Sequence, residues 1–135
     1  MILSGIPTTD KDTDEISITG SLLMSKMLAT DYHSCKNLLD RARNDYKAIG
    51  NNTFIRYDEH MDIVVRYHNS DIVMLLKTGD VVITLAGWPT TTTKYRINQF
   101  IGKRKVYTKN YVTYLDGIEM DLYKWYTVTK EDMYA

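Results

Sequence analysis

The sequence predicts an α+β fold, with N-terminal helices packed on an antiparallel sheet and a short helix inserted near residues 92–101. Three observations carry this. Cys35, Leu38, Leu39, Ala42, Tyr46 and Ile49 form one apolar stripe at helical spacing. From Asn51 the period changes to two, with polar turn residues about every ten positions, the rhythm of an antiparallel meander. Trp88-Pro89 then interrupts the strands, and a run of four threonines follows it. A chain of 135 residues has the length of one domain and can bury its own core.

Residues 1–19 read as an arm, flexible or forming an edge strand. Asp10, Asp12, Asp14 and Glu15 make it acidic against Lys11, and a sharper reading folds it back on a basic run further along. Residues 21–49 carry the helical signal, beginning with Leu22, Leu23, Met24, Met27 and Leu28. As one helix these would span about 44 Å, long for a domain of this size, so a break is expected, with Thr30 or Asp31 capping the second helix. Gly50 suits the left-handed position that ends a helix.

Strands are expected at 53–58, 61–67, 71–77 and 81–86. Asp58-Glu59-His60, His68-Asn69-Ser70 and Thr78-Gly79-Asp80 separate them. Pro89 stops the fourth strand because it cannot donate to a ladder. Thr90 or Thr91 caps a helix over 92–101, and Gly102 closes it. Strands resume at 104–108, 111–115 and 118–126, with Asp116-Gly117 as a type I′ hairpin turn. The polar tail from Thr127 is expected to fray.

Cys35 is the only cysteine, which excludes an internal disulfide and a cysteine-based metal site. No apolar run approaches the roughly 18 residues of a membrane helix, and the N-terminus does not read as a signal peptide, so the cytosol is the expected compartment. No nucleophile elbow, phosphate-binding loop, metalloprotease or dinucleotide motif is present, and no cofactor or metal is expected. Residues His68 to Asp71 place four polar groups in one stretch, but turn chemistry explains them, and no catalytic residue is assigned.

Charge is more informative. The chain is formally neutral, yet Val81 to Leu115 holds no acid. Lys94, Arg96, Lys103, Arg104, Lys105 and Lys109 lie within it. Thr90, Thr91, Thr92 and Thr93 ahead of Lys94 and Arg96 supply hydroxyls, a helix start and cations, the groups that phosphate binding uses. Trp88 and Tyr95 offer flat faces for a base. These twelve residues form the candidate site for a phosphate-bearing ligand or an acidic partner. The competing reading has the threonines capping, the tryptophan in the core and the lysines solvated.

Three stretches also carry a resemblance: Asn51-Asn52-Thr53, His68-Asn69-Ser70-Asp71-Ile72-Val73, and Gly87-Trp88 through Asn98. They resemble a group of small bacteriophage proteins with the pattern N-N-T, H-x-T-D-[IV]-[IV] and G-W-x-T-x-T-T-x-x-R-[IM]-N. The similarity covers residues 49–101. It departs at Ser70, where the group has Thr, and in lacking a second Gly before Trp88. The resemblance implies a phage origin and transfers no chemistry. The reading that follows is a non-enzymatic binding protein, in the host cytoplasm, that inhibits a host nucleotide- or nucleic-acid-dependent anti-phage defence. Its expected partner is a host defence complex or that complex's nucleotide or nucleic-acid ligand, with a homo-oligomer compatible. The alternatives are a small phage protein acting on its own genome and a small hydrolase or transferase using His68 and Asp71.

Overall fold

The computed structural model describes residues 27–135, so the acidic arm and the apolar cluster at 22–24 lie outside the described residues. Within them the architecture is α+β. Helix α1 (Tyr32–Asp40) leads into five strands: β1 (Tyr46–Gly50), β2 (Thr53–Tyr57), β3 (Ile63–Tyr67), β4 (Ser70–Leu75) and β5 (Val81–Ile83). Helix α2 (Thr91–Asn98) comes next, then β6 (Val106–Lys109), β7 (Val112–Leu115), β8 (Ile118–Glu119), β9 (Tyr126–Val128) and α3 (Lys130–Tyr134). The large sheet has the order β1-β2-β3-β4-β5-β9 and the small one β6-β7-β8, with every pairing antiparallel.

Side-chain alternation gives the large sheet two different faces. Ile55, Val65, Val73 and Ile83 align in register on the inner face, as do Ile63, Leu75, Val81 and Val128, and all are buried. Cys35 and Leu39 of α1, with Ile97, Phe100 and Ile101, belong to the same core. The outer face carries Tyr46, Phe54, Arg56, Val64, Arg66 and Asp71. Of these, only Val64 is buried.

Three expectations are corrected. Helix α1 ends at Asp40 with Arg41 as its C-cap, and Tyr46–Gly50 is an edge strand. Ile49 is buried because it occupies a register shift between Ala48 and Gly50, and its carbonyl accepts from Leu28 N at 2.8 Å. Gly50 ends no helix. It lies against Met27, whose methyl a Cβ there would strike. The strand expected at 118–126 is two short ones in different sheets. The chain leaves the small sheet at Met120, turns through Asp121, and re-enters as β9 beside β5. The tail is also ordered. Val81↔Val128 and Ile83↔Tyr126 pair across the ladder, Thr129 caps α3, and Met133 is buried.

The hairpin at Asp116-Gly117 forms as expected, with φ of 47° and 88°. The inserted helix also forms. It ends at Asn98, whose side-chain amide holds the backbone of Val106 in both directions, accepting from N at 2.7 Å and donating to O at 2.9 Å.

Candidate functional site

Two turns and a helix start build a cleft beside Trp88. The β3–β4 turn is tight, and His68 takes φ 55° while its N–H donates to Asn52 O at 2.8 Å. After β5, Ala86 and Gly87 take φ 51° and 82°, and Trp88 N–H donates to Leu85 O at 2.8 Å. This reverses the chain beneath the Tyr123 ring, which lies 2.7 Å from where a Gly87 Cβ would stand. Leu85 is anchored in the core and Trp88 is left 61% exposed. Thr90 then caps α2, its hydroxyl oxygen accepting from Thr93 N at 3.2 Å and its hydroxyl donating to Thr93 Oγ1 at 2.9 Å.

These pieces enclose a cleft of about 360 Å³. Trp88, Thr90, Thr92 and Thr93 form one wall, and Tyr67, His68, Asn69 and Ser70 the other, with Ile72 between them. Ile72 reaches this position because it is the extra residue of a register irregularity in β4, between Val73 and Asp71. No Asp or Glu lines the cleft. An apolar floor, one large indole, several hydroxyls and a helix N-terminus favour a ligand with a flat ring and an anionic or hydroxyl-rich end. His68 and Ala86, both non-glycine residues in the left-handed region, sit in the two turns that shape it, and such backbone is often found where a ligand is held.

The twelve residues singled out in the sequence divide sharply. Trp88, Thr90, Thr92 and Thr93 line the cleft, while Thr91, Lys94 and Tyr95 lie on α2 outside its wall. Arg96, a candidate for anion or partner binding in the sequence, is fully buried. Its Nη2 donates to Asn51 O at 3.2 Å, its Nη1 lies 3.9 Å from Met27 Sδ, and its guanidinium stands 5.4 Å from the centre of the Tyr67 ring. Burial pulls its pKa down, opposed by the neighbouring Tyr67 and Tyr95.

The remaining cations each have contacts of their own. Lys94 Nζ donates to the Thr108 hydroxyl. Arg104 pairs with Asp116 at 3.2 Å, and Lys103 Nζ donates to Ala135 O at 3.3 Å. Lys105 and Lys109 are exposed at opposite ends of the approach to β6 and β6 itself. One acid outside the acid-free run, Asp116, thus meets the run in space.

Sequence reasoning set aside His68, Asn69 and Ser70 as turn residues, and the structure brings them opposite Trp88. The signal that could have found them was the shared pattern, whose three stretches converge here. Asn51 O accepts from Arg96, Asn52 O from His68 N, and the His68 turn faces the threonines of α2. Asp71 does not join His68. Both of its carboxylate oxygens accept from Arg56, at 3.0 and 2.9 Å. Burial pushes the Cys35 thiol up to about 12, so it stays protonated near neutral pH. Among the described residues no cluster of three or more His, Cys, Asp or Glu is placed to hold a metal, and no helix is long and apolar enough to cross a membrane.

Fold and cleft together define a small α+β protein with a ligand-sized opening between a β-turn and a helix start. The chain belongs to the Kyanoviridae Gp96 protein family, which matches residues 32–132, and it is therefore a bacteriophage protein. No curated protein and no solved structure matches it.

Proposed function

We propose that this phage protein is a non-enzymatic binding protein whose cleft takes a nucleotide or the end of a nucleic-acid strand. It would act in the host cytoplasm against a nucleotide- or nucleic-acid-dependent anti-phage defence. The observation that carries the reading is Trp88, which is 61% exposed at the mouth of a cleft whose walls are hydroxyls and a helix start. A base stacked on an aromatic ring gains about 1–3 kcal/mol. Thr90 already takes up the Thr93 N–H, so a phosphate oxygen would meet the Thr91 and Thr92 N–H groups and the threonine hydroxyls at the start of α2. The absence of carboxylates from the lining removes the charge that would repel it.

A binding role fits better than chemistry because Asp71 is held by Arg56 and does not orient the His68 imidazole. The defence role is the part of this proposal that goes beyond the cleft, and it starts from phage family membership alone.

Calorimetry against mono-, di- and cyclic nucleotides tests the reading. One class should bind, Trp88→Ala should weaken it about tenfold or more, and the nucleotide should be recovered unchanged. If none of the panel binds, the ligand class is wrong, and if the nucleotide is consumed, the protein is an enzyme. A phage lacking the gene should plate poorly only on hosts that carry the defence.

A further inference from the structure

A second hollow, of about 450 Å³, opens on the outer face of the large sheet. It shares His68 and Asn69 with the Trp88 cleft, so one β-turn separates the two. Beyond that turn lie Tyr46 and Phe54, in edge-to-face contact with ring centres 5.8 Å apart. Arg66 stands beside Phe54, its register partner on β3. The other arginine of this face, Arg56, is gripped by Asp71, whereas Arg66 is exposed and forms no ion pair among the described residues. No Asp or Glu lines either hollow.

We infer that the ligand is single-stranded nucleic acid longer than one nucleotide, running from Trp88 over the His68–Asn69 turn onto the Tyr46–Phe54 surface, with Arg66 on a phosphate. This rests on the nucleotide reading of the cleft and extends it. The succession of indole, imidazole and amide, paired aromatic rings and one available guanidinium supplies stacking surfaces and a cation along a single path. Sequence-tolerant strand binding uses those two elements. A mononucleotide would occupy the first hollow alone, because about 360 Å³ lies at the small end of ligand sites. Of the two arginines that line the second hollow, Arg66 is the one without an ion pair among the described residues.

The test is fluorescence anisotropy with labelled oligo(dT) and oligo(U) of one, two, four and eight nucleotides. The wild type should gain about tenfold or more in affinity between one and four nucleotides, by stacking and one added phosphate contact. Arg66→Glu and Phe54→Ala should remove that gain and leave the mononucleotide unchanged. Arg66→Ala should reduce the salt slope by about 0.7. Trp88→Ala should weaken every length. Equal affinity for one and four nucleotides overturns the path and leaves the nucleotide cleft standing. A gain that survives the Arg66 and Phe54 variants, with folding confirmed by circular dichroism, also overturns it. So do variants that change only self-association of the protein. No binding at any length overturns path and cleft together. A gain seen with one of the two sugars alone supports the path and names the strand type.

Discussion

Arg96 and His68, which flank Tyr67 from opposite sides of the burial divide, contribute in opposite ways. Arg96 is a buried cation tied to the Asn51 carbonyl, and that carbonyl also accepts from the Thr53 hydroxyl at 2.8 Å. Arg96→Ala leaves a cavity beside Tyr67 and removes the link between α2 and the β1–β2 turn. It should cost about 2–4 kcal/mol in a urea titration, while Arg96→Met, which keeps the volume, recovers part of that. An unchanged midpoint would mean that this link contributes nothing. His68 presents the opposite case, with an exposed imidazole on a strained backbone at φ 55°. Asn tolerates that conformation, so His68→Asn should hold stability within about 0.5 kcal/mol. A β-branched residue does not, so His68→Val should cost about 1–3 kcal/mol. The asparagine variant therefore isolates the imidazole. A loss of nucleotide affinity in a protein that melts normally would place His68 on the ligand.

At the scale of elements, caps and turns hold the cleft's supports in place. Asp31 caps α1, its Oδ1 accepting from Ser34 N at 2.8 Å and Ser34 Oγ at 2.6 Å. These bonds hold its carboxyl below the usual aspartate range. The cap's contribution is full above the ordinary aspartate pKa and is lost as pH falls through the depressed folded value. Asp31→Ala should cost about 1 kcal/mol near neutrality and should flatten stability against pH below about pH 4. A parallel pair of curves would contradict the cap. Gly117→Val meets no atom within 4 Å, so its expected loss of about 1–3 kcal/mol comes from backbone strain at φ 88° alone. These elements were legible before the structure because alternation and turn residues are local signals. Where the reading failed, the deciding contact was distant. Ile49 is buried at helical spacing from Cys35 and Leu39, yet it sits in a strand bulge. The tail looked polar because its burial rests on Val128 and Met133 alone among exposed or half-buried neighbours. The cleft was half legible. Trp88 and the threonines stand together in sequence, whereas His68 reaches them only through the β4–β5 hairpin and the turn at Ala86-Gly87.

For the whole molecule, formal charge along the chain and charge in space are different quantities. Six cations without an intervening acid predicted one basic face. Folding buries Arg96, pairs Arg104 with Asp116, and brings Lys103 Nζ to the Ala135 carbonyl. Binding should consequently survive the combined Lys103, Arg104 and Lys105 alanine variant with affinity for nucleotide changed less than about threefold. Loss of a few exposed or paired charges lying away from the ligand is a small effect. Where a nucleotide sits decides the function of the cleft, and amide NMR on the labelled protein reports that directly. Titration with the nucleotide that calorimetry selects should shift the signals of His68, Asn69, Thr92 and the Trp88 indole. Lys103, Lys105 and Lys109 should stay still. Shifts confined to those lysines, with the Trp88 indole unmoved at saturation, would contradict the site.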